Sequence, residues 1–237
     1  EISSQECNAP ATLTDAVAIA AGGSSSAALR ANGTVVTWGR FNFAVPSGLS
    51  GVVAIAAGDG HMLALKGDGS VVVWGGAGYD ETNVPVGLTN VVAIAAAGYN
   101  SMALRADGTV VRWGYDFYGN NGVPAGLSDV VAIAAGQYHG LALKADGSVV
   151  GWGNGIAAVA PTLVDAVAVA AKGTSSMLLH RDGTVSLWGS LSTVPANVGM
   201  VGAISLGGAH ALALKLDGVI AAWGSTNHFG ELNVPSD

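Results

Sequence analysis

Short apolar runs, broken by glycines and polar turns, recur along the chain with a single period. A run resembling VVAIAAG starts at Val17, Val52, Val91, Val130, Val167 and Val201, the last copy reading VGAISLG. A run of the LALK type follows each and ends at Arg30, Lys66, Arg105, Lys144, His180 and Lys215. An Asn-Gly or Asp-Gly pair comes next, at Asn32, Asp68, Asp107, Asp146, Asp182 and Asp217. A Trp-Gly pair closes each unit, at Trp38, Trp74, Trp113, Trp152, Trp188 and Trp223; these are all the tryptophans, spaced 35 to 39 residues apart.

Runs this short between glycine-rich turns predict strands, so each unit reads as strand, loop, strand, tight turn, strand. Asp-Gly between two apolar runs is a strong hairpin signal, because glycine accepts the positive φ that such a turn demands. The LALK and VVxWG runs are therefore expected to pair, and the acids at these turns carry no chemistry. In Val71-Val72-Val73-Trp74 neither alternate set is polar, which predicts sheets covered on both faces. A fixed period with one large aromatic per unit favours radial stacking of blades over a sandwich. Alanine-rich VVAIAAG runs suit the innermost strands, where blades converge. The tryptophans are expected to fill the wider gaps between neighbouring blades.

The predicted fold is thus an all-β propeller with six sequence repeats, most simply six blades, with seven admitted. Residues 16–237 form one domain in this reading, and residues 1–15 form a tail with a potential closing strand. The seven prolines, Pro10, Pro46, Pro85, Pro124, Pro161, Pro195 and Pro235, fall after Trp-Gly or before VVAIAAG. Proline cannot donate to a ladder, which places these segments at the outer rim. Seven rim segments for six repeats leave three readings open: one pairs across the termini to close the ring, the ring is incomplete, or the extra segment pairs with another chain.

Composition narrows the function. Half of the 237 residues are hydrophobic, 36 are glycine and 11% are charged, which is too apolar for a disordered chain. A net charge of −7, with nine basic residues spread along the repeats, argues against a nucleic-acid partner. No membrane insertion is expected: the long uncharged stretch from Gly183 to Leu214 is interrupted by Pro195, Asn197 and glycines. Glu1 is compatible with a mature terminus after cleavage of a leader, and an extracellular or cell-surface location is expected. Cys7 is the single cysteine, so no internal disulfide forms, and it reads as an unpaired thiol in the tail.

The unit is seen best from Val130 to Gly153, VVAIAAGQYHGLALKADGSVVGWG, and it resembles the repeat of the regulator of chromosome condensation family. The resemblance runs from about Ala16 to Pro235 and is closest to the short bacterial version, which includes the propeller-type β-lactamase inhibitor. Such proteins are typically seven-bladed, against the six copies here. The family also includes a nucleotide-exchange factor for a small GTPase, so the resemblance implies a fold rather than one function. It implies that the loop after AIAAG binds partners through aromatic side chains; the bulky aromatics at those places are Tyr99 and Tyr138.

The loop after Trp-Gly varies most between repeats. It holds Phe41 and Phe43, Tyr79-Asp80-Glu81, Tyr115 and Phe117, with Tyr118 and Phe229 in related places. Aromatics beside amides and acids suit a protein partner or a sugar, while the alternative is that one aromatic per loop packs as part of the repeat. The candidate contact residues are Phe41, Phe43, Tyr79, Asp80, Tyr99, Tyr115, Phe117 and Tyr138. Asp80 and Glu81 are an acidic pair, but adjacent side chains diverge, which does not suit paired-carboxylate hydrolysis. His61, His139 and His210 occupy one position in alternate repeats, and a hydrogen bond across each hairpin is expected there. A metal would need all three nitrogens within about 2 Å of the ion, and no metal or cofactor is expected.

No nucleophile elbow, phosphate loop or nucleotide fingerprint is present, so the chain is not read as an enzyme. The reading is an extracellular binding scaffold that recognises a macromolecule, chiefly protein, through loops on one face. The alternative is a self-assembling structural subunit, a homo-oligomer or polymer, motivated by low charge, positive mean hydropathy, the spare rim segment and Cys7. Enzyme inhibition and GTPase exchange stand behind both.

Overall fold

The computed structural model describes residues 8–39, 43–76, 78–116, 122–154, 164–191, 193–225, 227 and 230–235. Among them are eighteen strands and six three-stranded antiparallel sheets, each formed by consecutive strands. The blades are β1 (Ala16–Ala21), β2 (Ser25–Arg30) and β3 (Val35–Gly39); β4 (Val52–Ala57), β5 (His61–Lys66) and β6 (Val71–Gly75); β7 (Val91–Ala97), β8 (Asn100–Arg105) and β9 (Val110–Gly114). Then follow β10 (Val130–Ala135), β11 (His139–Lys144) and β12 (Val149–Gly153); β13 (Ala166–Lys172), β14 (Ser175–His180) and β15 (Val185–Trp188); β16 (Val201–Leu206), β17 (His210–Lys215) and β18 (Ile220–Gly224). The chain divides into two compact units, Glu1–Phe117 and Tyr118–Asp237, holding three blades each. The fold class is an all-β propeller of six three-stranded blades.

The predicted hairpin is present in every repeat, with β5 and β6 pairing Leu65 to Val71 and His61 to Gly75. The turn at its tip spans Lys66 to Ser70, with Gly69 in the left-handed region at φ 79°. Asp68 does not merely tolerate the turn. Its carboxylate accepts hydrogen bonds from the Ser70 backbone N–H at 3.0 Å and from the Ser70 hydroxyl at 2.5 Å. These bonds, with Lys66 at 3.3 Å, hold the Asp68 carboxyl down at about 2. Thr109, Ser148 and Thr184 do the same for Asp107, Asp146 and Asp182 and lower those carboxyls too. Thr34 bonds Asn32 in the same way, whereas Val219 keeps only the backbone bond to Asp217.

The first strand of each blade is less regular than its sequence suggests. Between Val52 and Ala54 the register with β5 shifts by one residue, and the same shift recurs at the start of β1, β7, β10, β13 and β16. The extra residue of this bulge points outward, so Val17, Val53, Val92, Val131 and Val167 are exposed. Two-sided burial therefore holds for the middle strands of the first five blades but not for the second position of the inner strands. Five of the proline segments are turns that precede the first strand of a blade. The carbonyls of Pro10, Pro46, Pro85, Pro124 and Pro195 each accept an N–H from three residues on, at 2.9–3.2 Å. Pro161 lies outside the described residues.

Within each unit the tryptophans of the second and third blades sit between blades. Trp74 packs against Ala27 and Leu29 of the preceding blade, and Trp113 against Leu63 and Leu65. In the second unit Trp188 packs against Leu141 and Leu143, and Trp223 against Met177 and Leu179. Burying a ring of this size contributes roughly 4–6 kcal/mol before the cost of ordering it. The following glycine has its own reason. Gly75 has φ 127°, and a Cβ there would stand 2.6 Å from the Gly60 carbonyl oxygen and 2.7 Å from the His61 Cα. Only glycine lets the outer strand end that close to the start of the middle one.

Candidate functional site

The turn between β7 and β8 is closed by Gly98, in the left-handed region at φ 55°, and puts Tyr99 at the blade's end. The Gly98 carbonyl accepts the Asp59 N–H at 2.7 Å, which ties the turn of blade three to that of blade two. Tyr115 follows β9 directly and donates its backbone N–H to the Tyr99 carbonyl at 3.0 Å. Tyr79 comes from the loop after β6.

Three loops thus bring three tyrosines together. The Tyr79 ring centroid lies 4.8 Å from that of Tyr99 at 53°, and 4.8 Å from that of Tyr115 at 69°. Tyr99 and Tyr115 are 6.4 Å apart, nearly edge to face. Such pairs favour each other by about 0.5–1.5 kcal/mol beyond their burial. Tyr79 is nevertheless 47% exposed and Tyr99 37% exposed, so the cluster is braced internally while its faces remain open.

Glu81 supplies the brace from below. Its buried carboxylate accepts the Tyr79 backbone N–H at 2.7 Å. Its own carbonyl accepts the Trp113 indole N–H at 3.0 Å and the Ser101 hydroxyl at 3.2 Å. Asp80 turns the opposite way. It is exposed at φ 61° and accepts a hydrogen bond from the Asn83 amide at 2.6 Å. The acidic pair is therefore split between a structural bond and a turn.

Beside the tyrosines lies a cleft of about 270 Å³, lined by Phe43, Asp59, Gly60, Gly76, Gly78, Tyr79, Glu81 and Tyr99. That is below the usual range for a small-molecule pocket and fits one anchoring side chain. Phe43 also packs against the core between blades one and two, so it serves the repeat as well as the cleft. Of the predicted contact residues, Phe43, Tyr79, Tyr99 and Tyr115 are gathered in the first unit. Tyr138 stands in the equivalent turn of blade four, in the second unit, half-buried, its carbonyl accepting the Asn154 N–H at 2.8 Å. Phe41, Phe117, Tyr118, Phe229 and Cys7 lie outside the described residues.

Two of the histidines make bonds that the repeat alone does not predict. His61 Nε2 lies 2.9 Å from the Ser101 hydroxyl, and His139 Nε2 lies 2.8 Å from that of Ser176. Each of these bonds reaches the next blade. Both imidazoles are buried, packed over Gly58 and Gly136, where a Cβ would overlap the ring. The serines carried a readable signal: Ser26, Ser101 and Ser176 alternate with the histidines, in repeats one, three and five. Among the described residues no three His, Cys, Asp or Glu side chains are grouped to hold a metal. No helix among them is long and apolar enough to cross a membrane.

Residues 16–43, 52–80 and 130–155 match the Regulator of chromosome condensation (RCC1) repeat. These segments fall in three of the six repeats. A search of curated protein sequences finds no significant match. Among solved structures the chain is similar to the entire ectodomain of the Physcomitrella patens receptor kinase CR4, with TM-score 0.75 and 24% identity over 87% of this chain. It spans 62% of that ectodomain. It is similar to the CRINKLY WD40 ectodomain of the Arabidopsis thaliana receptor kinase ACR4, with TM-score 0.71 and 24% identity over 87% of this chain and 84% of that one. It is also similar to Prp20p from Saccharomyces cerevisiae, whose structure was described with its binding properties to Gsp1p and histones. There the TM-score is 0.74 and the identity 21%, over 91% of this chain and 72% of that one. At these identities the likeness shows the propeller fold.

Proposed function

We propose that the chain is a non-enzymatic protein-binding scaffold whose contact site is the tyrosine cluster of Tyr79, Tyr99 and Tyr115. The observation that carries this is the exposure of Tyr79 and Tyr99 over a cleft sized for one side chain. Tyrosines held by one another lose little freedom on binding, which is what an interface anchor needs. Asp59 at the cleft wall, with a net charge of −7 on the chain, favours a basic anchor. An arginine or lysine there would meet a carboxylate and aromatic faces together. Prp20p's binding to Gsp1p and histones supports protein recognition by this fold as a precedent only. An extracellular or cell-surface setting belongs to the same reading, supported by the two receptor-kinase ectodomains among the similar structures.

Selection of displayed peptides on the folded chain, followed by calorimetry, tests the site. Enriched peptides are expected to carry a basic residue and to bind the Tyr79→Ala/Tyr99→Ala protein at least about tenfold more weakly. Equal binding to both proteins would refute the proposal. A second reading, self-assembly, is favoured by the apolar faces exposed on the first and sixth blades.

A further inference from the structure

Within each unit one rule governs the junctions between blades. The third and fifth residues of a middle strand form a forward face that meets the tryptophan and inner strand of the next blade. Leu29, Leu65, Leu143 and Leu179 hold the fifth position at such junctions and are at most 4% exposed. On the sixth blade the same position is Leu214, which is 45% exposed, beside Ile220 at 47%. They line an apolar cleft of about 200 Å³ with Ala203, Ser205 and Leu212. The rear face of the first blade is its counterpart. Ile19 there is 80% exposed, where Ile55 and Ile94 are half-buried, and Trp38 is half-buried where Trp74 and Trp113 are buried.

The polar register says what fits this pair of faces. Where a histidine opens the middle strand, the next blade carries serine at its second position, as in His61 with Ser101 and His139 with Ser176. His210 opens the middle strand of the sixth blade. In the repeat's alternation, the blade that follows a histidine blade carries serine, and the first blade supplies one at Ser26.

We propose that the chain associates head to tail with a second copy of itself, the forward face of blade six seating on the rear face of blade one. Leu212, Leu214 and Ile220 pack under Ile19 and Trp38 of the second copy, and His210 bonds its Ser26. The contact continues the junction that both units already use, so it asks for no new packing solution. Because the two faces differ, the association is heterologous and extends copy by copy until geometry closes it.

Sedimentation over a wide concentration range is expected to show mass rising with concentration. Leu214→Asp should weaken this at least about tenfold, while Val86→Asp, at a fully exposed position away from both faces, should leave it unchanged. In a Cys7→Ser background, a tagged chain bearing Ser26→Cys, mixed with one bearing His210→Cys, should give a bis-maleimide cross-linked heterodimer. A concentration-independent monomer would overturn the proposal. So would a mixture that yields no heterodimer while a chain carrying both cysteines cross-links only within itself.

Discussion

Blades three and five have nearly the same backbone and opposite chemistry at the same turn. In both, the inner strand runs seven residues, and its pairing with the middle strand is carried one rung further, to Ala97–Asn100 and Lys172–Ser175. Both turns contain a left-handed glycine, Gly98 at φ 55° and Gly173 at φ 54°. Blade three then offers Tyr99, whose ring faces Tyr79 and stays open. Blade five offers Thr174 and Ser175, whose hydroxyls both lie within 3.0 Å of the Ser190 hydroxyl. Ser175 also accepts the Leu191 N–H at 3.0 Å. The hydroxyls brace their own loop, whereas the tyrosine rings brace one another and Tyr79 and Tyr99 stay partly exposed. Shared backbone with divergent turn residues thus gives one repeat two different loop surfaces.

The largest effects should come from changes that ignore this difference. Alanine at Gly114 or Gly189 must adopt φ 104° or 107° and meet the Cα of Asn100 at 3.2 Å or of Ser175 at 2.8 Å. Each substitution is expected to cost roughly 2–4 kcal/mol, alike in the two blades, in chemical denaturation. A marked inequality would mean that the turn chemistry, and not the backbone, holds the blade end. Next come the inter-blade histidines. His61→Ala or His139→Ala empties a buried site and removes a buried bond to the next blade, at a cost of about 1–3 kcal/mol.

Converting blade three toward blade five by Tyr99→Thr should leave stability within about 1 kcal/mol while lowering affinity for the selected peptides at least about tenfold. A loss of stability with binding intact would make Tyr99 a packing residue. The smallest effect concerns the turn acids. Their carboxyls titrate lower when folded than unfolded, so their contribution is complete above the ordinary aspartate value of about 4. It fades as the pH falls toward about 2 for Asp68. Ser70→Ala should raise the Asp68 carboxyl toward its ordinary value in an NMR titration, without altering peptide binding at neutral pH.

Much of this was readable beforehand. Strand positions, the hairpin at Asp-Gly and the burial of Trp74 or Trp113 follow from periodicity and from what glycine and tryptophan can do. The residues of the candidate site were also readable one by one, since Tyr79, Tyr99 and Tyr115 interrupt small and polar loop positions. Their convergence was not. Tyr79 and Tyr115 are 36 positions apart in the numbering, on loops of two different blades, and only stacking brings their rings to 4.8 Å. The exposure of Val53 was hidden for another reason: a bulge moves one residue off the face that alternation assigns it.

What the sequence determined alone is the repeat: three strands, their turns, and the positions that must be glycine, all set by interactions among residues close in the chain. The tertiary structure decided everything that passes from one blade to the next. His61 reaches Ser101, 40 residues on, and His139 reaches Ser176, 37 on. Contacts at that separation depend on how far each blade is rotated and shifted against its neighbour. That is set by the packed volume of the alanines, leucines and tryptophans between them, which no local pattern encodes.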